Sequence, residues 1–147
     1  MSRIVSFRGK LADGEQESIP LQTINGMKGY RIVKFELFGA APGATSYEHV
    51  VKIYKTQQSS VDGLVDFSDN RLLAAGFLGA VSSVSNSTVN HIVTFDGEIF
   101  NQDIFVTHVD TEGALECNYY IELEQMALDL NEQTVATLKD IRNVGAE

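Results

Sequence analysis

The sequence predicts an all-β fold: a single antiparallel β-sandwich or jelly roll spanning residues 1–147, with a short C-terminal amphipathic helix. Three observations lead there. Apolar and polar residues alternate with period two in seven to nine segments. Those segments recur every 10–15 residues and are separated by Gly, Asn and Asp turns. Only the last segment changes to a helical period.

The elements follow in order. Arg3 to Leu11 alternates, with Ile4 and Ser6 on one face and Val5 and Phe7 on the other. Gly26 and Gly29 bracket a turn before a strand over Tyr30 to Phe38, in which Val33, Phe35 and Leu37 are expected on one face and Lys34 and Glu36 on the other. Gly39-Ala40-Ala41-Pro42-Gly43 ends it, because proline cannot donate to a ladder. Tyr47 to Lys55 sets His49, Val51 and Ile53 against Glu48, Val50, Lys52 and Tyr54. Gln57 to Gly63 reads as a polar loop, and Asp66 to Asn70 as a turn whose side chains bond their own backbone.

Leu72 to Val81 is apolar on both faces and reads as a strand buried on both sides, with a short helix as the competing reading. A Ser/Asn loop over 82–88 precedes strands over Val89 to Phe95 and Asp103 to Val109, with turns at Asp96-Gly97 and Glu112-Gly113. Cys117 to Leu123 alternates most cleanly: Cys117, Tyr119, Ile121 and Leu123 face one way, and Asn118, Tyr120, Glu122 and Glu124 the other. Residues 132–143 are expected to form the helix, an edge strand being the alternative. Val135, Leu138 and Ile141 fall on one side, Glu132 in the first turn and Arg142 in the last, with Gly145 as the stop.

At 147 residues the chain matches one domain with a full core. Twenty acidic against eleven basic side chains give a net charge of −9, which argues against nucleic acid as a partner. The balance is uneven. Residues 1–60 hold eight Lys/Arg and five Asp/Glu, and residues 61–147 hold three and fifteen. If the fold separates these halves, the surface is dipolar, and Arg3, Arg8, Lys10, Lys28, Arg31 and Lys34 are expected at a partner interface reached by salt-sensitive steering.

The opening residues alternate and do not read as a signal peptide. The longest apolar run, ten residues with two glycines, is too short for a membrane span. A single cysteine excludes an intrachain disulfide framework.

Candidate sites are few. His49, His91 and His108 sit in different strands without metal-ligand spacing, so each is expected to be a satisfied, partly buried ring; convergence of the three on zinc is the sharper alternative. Asp62, Asp66 and Asp69 do not match an EF-hand and read as turn residues. Glu122 and Glu124 would serve acid–base work only in a cleft and read as a solvated face. Cys117, on an apolar face, reads as a small hydrophobe. Asn86-Ser87-Thr88 fits a glycosylation sequon but lacks a secretory context. Of the tyrosines at 30, 47, 54, 119 and 120, Tyr120 is the best candidate for a sugar-binding face, because Asn118 and Glu122 share its side of the strand. No Gly-x-Ser-x-Gly, phosphate-binding loop or dinucleotide fingerprint occurs, so no enzyme, metal or cofactor is expected.

The segments 97–108 (GEIFNQDIFVTH), 118–124 (NYYIELE) and 135–143 (VATLKDIRN), together with 28–35 (KGYRIVKF) and the Asp66 to Asn70 turn, resemble small virion structural proteins of marine tailed bacteriophages. The resemblance implies a non-enzymatic component of the virion. That component would be a head decoration, cement or knob protein bound to the major capsid protein or another virion protein. A tail- or fibre-associated module that binds a host surface or glycan is the alternative. A symmetric homo-oligomer, with a trimer favoured, is expected, and Val135, Leu138 and Ile141 are candidates for self-association.

Overall fold

A computed structural model describes residues 3–23, 26–42, 46–81, 88–129 and 137–138. It is a sandwich of two antiparallel sheets. The strands are β1 (Arg3–Leu11), β2 (Gln16–Ile19), β3 (Lys28–Gly39), β4 (Tyr47–Tyr54), β5 (Leu72–Val81), β6 (Thr88–Phe95), β7 (Ile104–Asp110) and β8 (Cys117–Ala127). One sheet has the order β1-β8-β3 and the other β2-β7-β4-β5-β6. Their facing sides supply the core, including Ile32, Phe35, Tyr119, Ile121 and Leu123 from the first, and Val51, Ile53, Ala74, Leu78, Ile104 and Val106 from the second.

The alternation in β8 holds residue by residue, with Cys117, Tyr119, Ile121 and Leu123 buried and the residues between them half-exposed. β5 is a strand between β4 and β6, with both neighbours paired along its length. A Cβ on Gly76 would stand 2.9 Å from Leu37 Cδ1 and 3.1 Å from Phe35 Cε2, so the sheets approach too closely there for a side chain.

The face assigned to Val33 is corrected. The register of β3 against β8 shifts between Ile32 and Lys34, which inserts Val33 as an extra residue. The inward set is therefore Tyr30, Ile32, Phe35 and Leu37, and Val33 is exposed. β2 has no counterpart in the sequence reading. It is four mostly polar residues at a sheet edge, without an apolar alternation to announce it.

Between β1 and β2 the chain crosses from one sheet to the other through a turn containing Gly14 at φ +82°. That turn is clamped to β7 by Gly14 N donating to His108 O at 2.8 Å and His108 N donating to Glu15 O at 3.0 Å. The loop after β4 lies against the outer side of its sheet. The buried Lys52 ammonium donates to Asp62 Oδ1 at 3.0 Å, and Lys55 donates to Glu98 at 2.9 Å. Of the helix expected over 132–143, Val135 and Ile141 lie outside the described residues. Thr137 Oγ1 bonds Asn101 Nδ2 at 3.0 Å, and Leu138 is 57% exposed. Among the described residues no helix is long and apolar enough to cross a membrane.

Candidate functional site

Two places concentrate chemistry: one end of the core, and the outward face of the three-stranded sheet.

The core end is built by pairing. His49 on β4 stands opposite Asp110 on β7, and His108, two residues before Asp110, points to the same inner face. Cys117 opens β8 across from Leu11 and Gly39. His49, His108 and Cys117 are all fully buried. His49 Nδ1 lies 2.9 Å from His108 Nε2, and His108 Nδ1 lies 2.9 Å from the carbonyl of Ala12. A carbonyl only accepts, so His108 carries a proton on Nδ1. With His108 Nε2 as the acceptor of their shared contact, His49 Nδ1–H donates to it. This leaves His49 Nε2 buried without a hydrogen-bond partner. Tyr47 stacks on His49 with centroids 4.6 Å apart, and Asp110 Oδ2 is 4.0 Å from His49 Nδ1.

Asp110 serves the backbone. Its Oδ1 accepts from the amides of Glu48, Glu112 and Gly113, each at 3.0 Å, and its Oδ2 from Leu115 at 2.7 Å. These bonds outweigh burial and hold its pKa down at about 2. They also fix a turn in which Ala114 adopts φ +53°. Burial, with the neighbouring His108 adding to it, pushes His49 down to about 4, so this ring is neutral at pH 7. Burial pushes the Cys117 thiol up to about 12, which excludes an activated thiolate nucleophile in this state.

Two expectations change here. The histidines are not three equivalent partly buried rings: His49 and His108 are fully buried and His91 is exposed. The three do not converge either. His91 lies on the same row as His49 with Leu78 between them, about 9–10 Å away by strand spacing. The residue that joins the pair is Cys117, and its ligand atom and one from each buried histidine lie within 4.8 Å of one another. Sequence spacing could not reveal this, because the three come from three strands and two sheets. The only local signal is the His108-x-Asp110 pair on one strand face.

On the outward face of the β1-β8-β3 sheet the register sets out four rows: Ile4, Glu124, Arg31; Ser6, Glu122, Lys34; Arg8, Tyr120, Glu36; and Lys10, Asn118, Phe38. Arg31 bonds Glu124 at 2.5 Å, Lys34 lies 3.7 Å from Glu36, and Tyr120 donates to Glu122 at 2.7 Å. An open depression of about 610 Å³ is lined by Arg8, Lys10, Glu36, Phe38, Asn118 and Tyr120. Arg8, Lys10, Arg31 and Lys34 thus share this face, whereas Arg3 and Lys28 pair with Gln125 and Ala127, outside these rows.

The condition set for a dipolar surface, two halves that fold apart, is not met. The acidic half's β8 lies between β1 and β3 of the basic half, and β4 lies between β7 and β5, so strand order interleaves the two halves. The tyrosines separate as well. Tyr30, Tyr47, Tyr54 and Tyr119 are buried, which leaves Tyr120 on the outward face. Asp62, Asp66 and Asp69 bond the amides of Leu64, Ser68 and Arg71, which is turn chemistry.

No protein-family model matches the chain, and no curated protein matches it.

Proposed function

We propose that this chain is a non-enzymatic structural component of a phage virion: a head decoration or cement protein that seats on the major capsid protein through the outward face of the β1-β8-β3 sheet. The observation that carries the reading is that face. It is built on paired strands and holds Tyr120 on its central strand, with Phe38 (67% exposed) and Ile4 (55% exposed) at opposite corners. Aromatic and arginine side chains are enriched at protein interfaces, and this face presents Tyr120, Phe38, Arg8 and Arg31. The similarity of segments 97–108, 118–124 and 135–143 to small virion proteins supplies the particle.

The absence of an enzyme site is supported by how the buried polar groups are used. The Asp110 carboxylate holds backbone amides, and His49 and His108 bond each other. Because the basic and acidic halves interleave in the sheets, docking on this reading draws on short-range contacts more than on long-range steering. Assembly as a homotrimer would multiply weak single-site contacts across a capsid lattice. Mass spectrometry and reconstruction of purified particles test the reading. The protein is expected on the head surface in repeated copies, and Tyr120→Ala with Phe38→Ala is expected to reduce its copy number. Absence from particles overturns the reading.

A second reading is favoured by the depression beside Tyr120. An aromatic ring flanked by Asn118, Glu36, Arg8 and Lys10 offers stacking and hydrogen bonds to a sugar. A tail- or fibre-borne glycan-binding module would show hits on a glycan array that Tyr120→Ala removes, and the gene's deletion would lower host adsorption.

A further inference from the structure

We propose that His49, His108 and Cys117 form a zinc site that staples the two sheets together from the inside. Two imidazoles and one thiolate are a donor set suited to a borderline-soft cation. Here they come from β4 and β7 of one sheet and β8 of the other.

Three further observations point to a ligand. First, His49 Nε2 is fully buried and has no hydrogen-bond partner, an arrangement that folded proteins rarely leave standing. Second, it borders the space left by the side chain that Gly39 lacks. The Cβ that Gly39 lacks would stand 3.5 Å from His49 Nε2, and Gly39 is the cross-strand neighbour of Cys117. Third, each ring has an acceptor in place for its other nitrogen. His108 Nδ1 is already bonded to Ala12 O at 2.9 Å, and Asp110 Oδ2 stands 4.0 Å from His49 Nδ1. Turning the His49 Nδ1–H from His108 to Asp110 frees His108 Nε2 as a ligand. Both rings then have the carboxylate or carbonyl partner that orients metal-bound histidines.

Donor atoms around tetrahedral zinc lie about 3.3–3.6 Å apart, given Zn–N and Zn–S bonds near 2.0 and 2.3 Å. One nitrogen of each histidine and Cys117 Sγ already lie within 4.8 Å of one another. Because His49 Nδ1 is the atom that faces His108 Nε2, bringing His49 Nε2 to the same centre asks for a turn of the His49 ring as well as closure. The thiol loses its proton to solvent as the Zn–S bond forms. The Tyr47 hydroxyl, which also lies 3.5 Å from the missing Gly39 Cβ, flanks the fourth position. A site this deep is loaded while the chain folds. The inference is independent of the particle reading.

The experiment is to unfold the full chain and refold it with Zn²⁺, with Co²⁺ or with a chelator, then remove unbound metal. The expected result is one zinc per chain, a thermal midpoint raised above that of the chelator-refolded protein, and a thiolate-to-cobalt charge-transfer band. Cys117→Ser is expected to lose the band and most of the retained metal, whereas His91→Ala retains both. Wild-type protein that refolds without stoichiometric zinc and shows no charge-transfer band overturns the proposal, as does a Cys117→Ser variant holding zinc like the wild type. The wild-type cobalt spectrum decides the question even if the variant fails to fold.

Discussion

The two ends of the sandwich interior are made by the same cross-strand geometry and held by different physics. At one end Phe35 stands opposite Ile121, Ile32 opposite Leu123, and Ile53 opposite both Val106 and Ala74, so each of these pairs is apolar. At the other end His49 stands opposite Asp110, and Cys117 opposite Gly39 and Leu11. Apolar packing gains free energy in proportion to area and is indifferent to protons. The polar end depends on the protonation of individual groups and on whether each donor has an acceptor. The same fold therefore has one end that responds to volume and one that responds to pH.

The largest expected effect is at the apolar end. Phe35→Ala removes a fully buried ring between the sheets and should cost about 3–5 kcal/mol, equally at pH 7 and pH 5, as measured by denaturant unfolding. Asp110→Ala comes next, at about 3 kcal/mol at pH 7. It strips the acceptor from four backbone amides and releases a turn that holds Ala114 in a left-handed conformation. Its cost should shrink in acid. The folded carboxyl titrates near 2 against 3.8 for an unperturbed aspartate, so its stabilisation is complete above 3.8 and fades as pH falls toward 2. A loss for Asp110→Ala that is as large at pH 2 as at pH 7 would break the contrast between the two ends.

His49 sharpens the contrast in a different window. Its folded pKa is near 4 against 6.5 unperturbed, so in that interval the unfolded chain binds the proton that the folded chain refuses. Stability is expected to be level above pH 6.5 and to fall as pH drops from 6.5 to 4. A His49→Asn variant should lose that slope while keeping the one that belongs to Asp110. Equilibrium unfolding in metal-free buffer across pH 2–8 measures both slopes.

The apolar end was legible in the sequence, and the polar end was not. Period-two alternation places Tyr119, Ile121 and Leu123 inward, and the doubly apolar β5 announces an interior strand. Alternation fails at Val33, because a bulge shifts the parity without changing composition. It is silent on β2, whose place is set by pairing with β7. The His49–His108–Cys117 cluster depends on which strands become neighbours, and that is a property of topology. The same limit defeats the charge split. Fifteen carboxylates after residue 60 imply an acidic half only if that half folds apart, and β8 inserts itself between two basic strands.

The glycines give a finer test. A Cβ at Gly76 would meet Leu37 and Phe35 side chains that are themselves packed between the sheets, so Gly76→Ala should cost about 1–3 kcal/mol by overpacking. At the polar end a Cβ on Gly39 would meet Tyr47 and His49 atoms at 3.4–3.5 Å, ordinary contact distance, so Gly39→Ala should cost well under 1 kcal/mol in metal-free protein. Outside both ends, Arg31→Ala breaks the pair with Glu124 on the outward face. With the Arg31 side chain 47% exposed, water replaces most of what is lost, and the expected change is about 0.2–1 kcal/mol, smaller still at high salt. A larger, salt-insensitive loss would mean that the outward face is part of the packed structure and not a free surface. The sandwich would then have a third region whose stability the two ends do not describe.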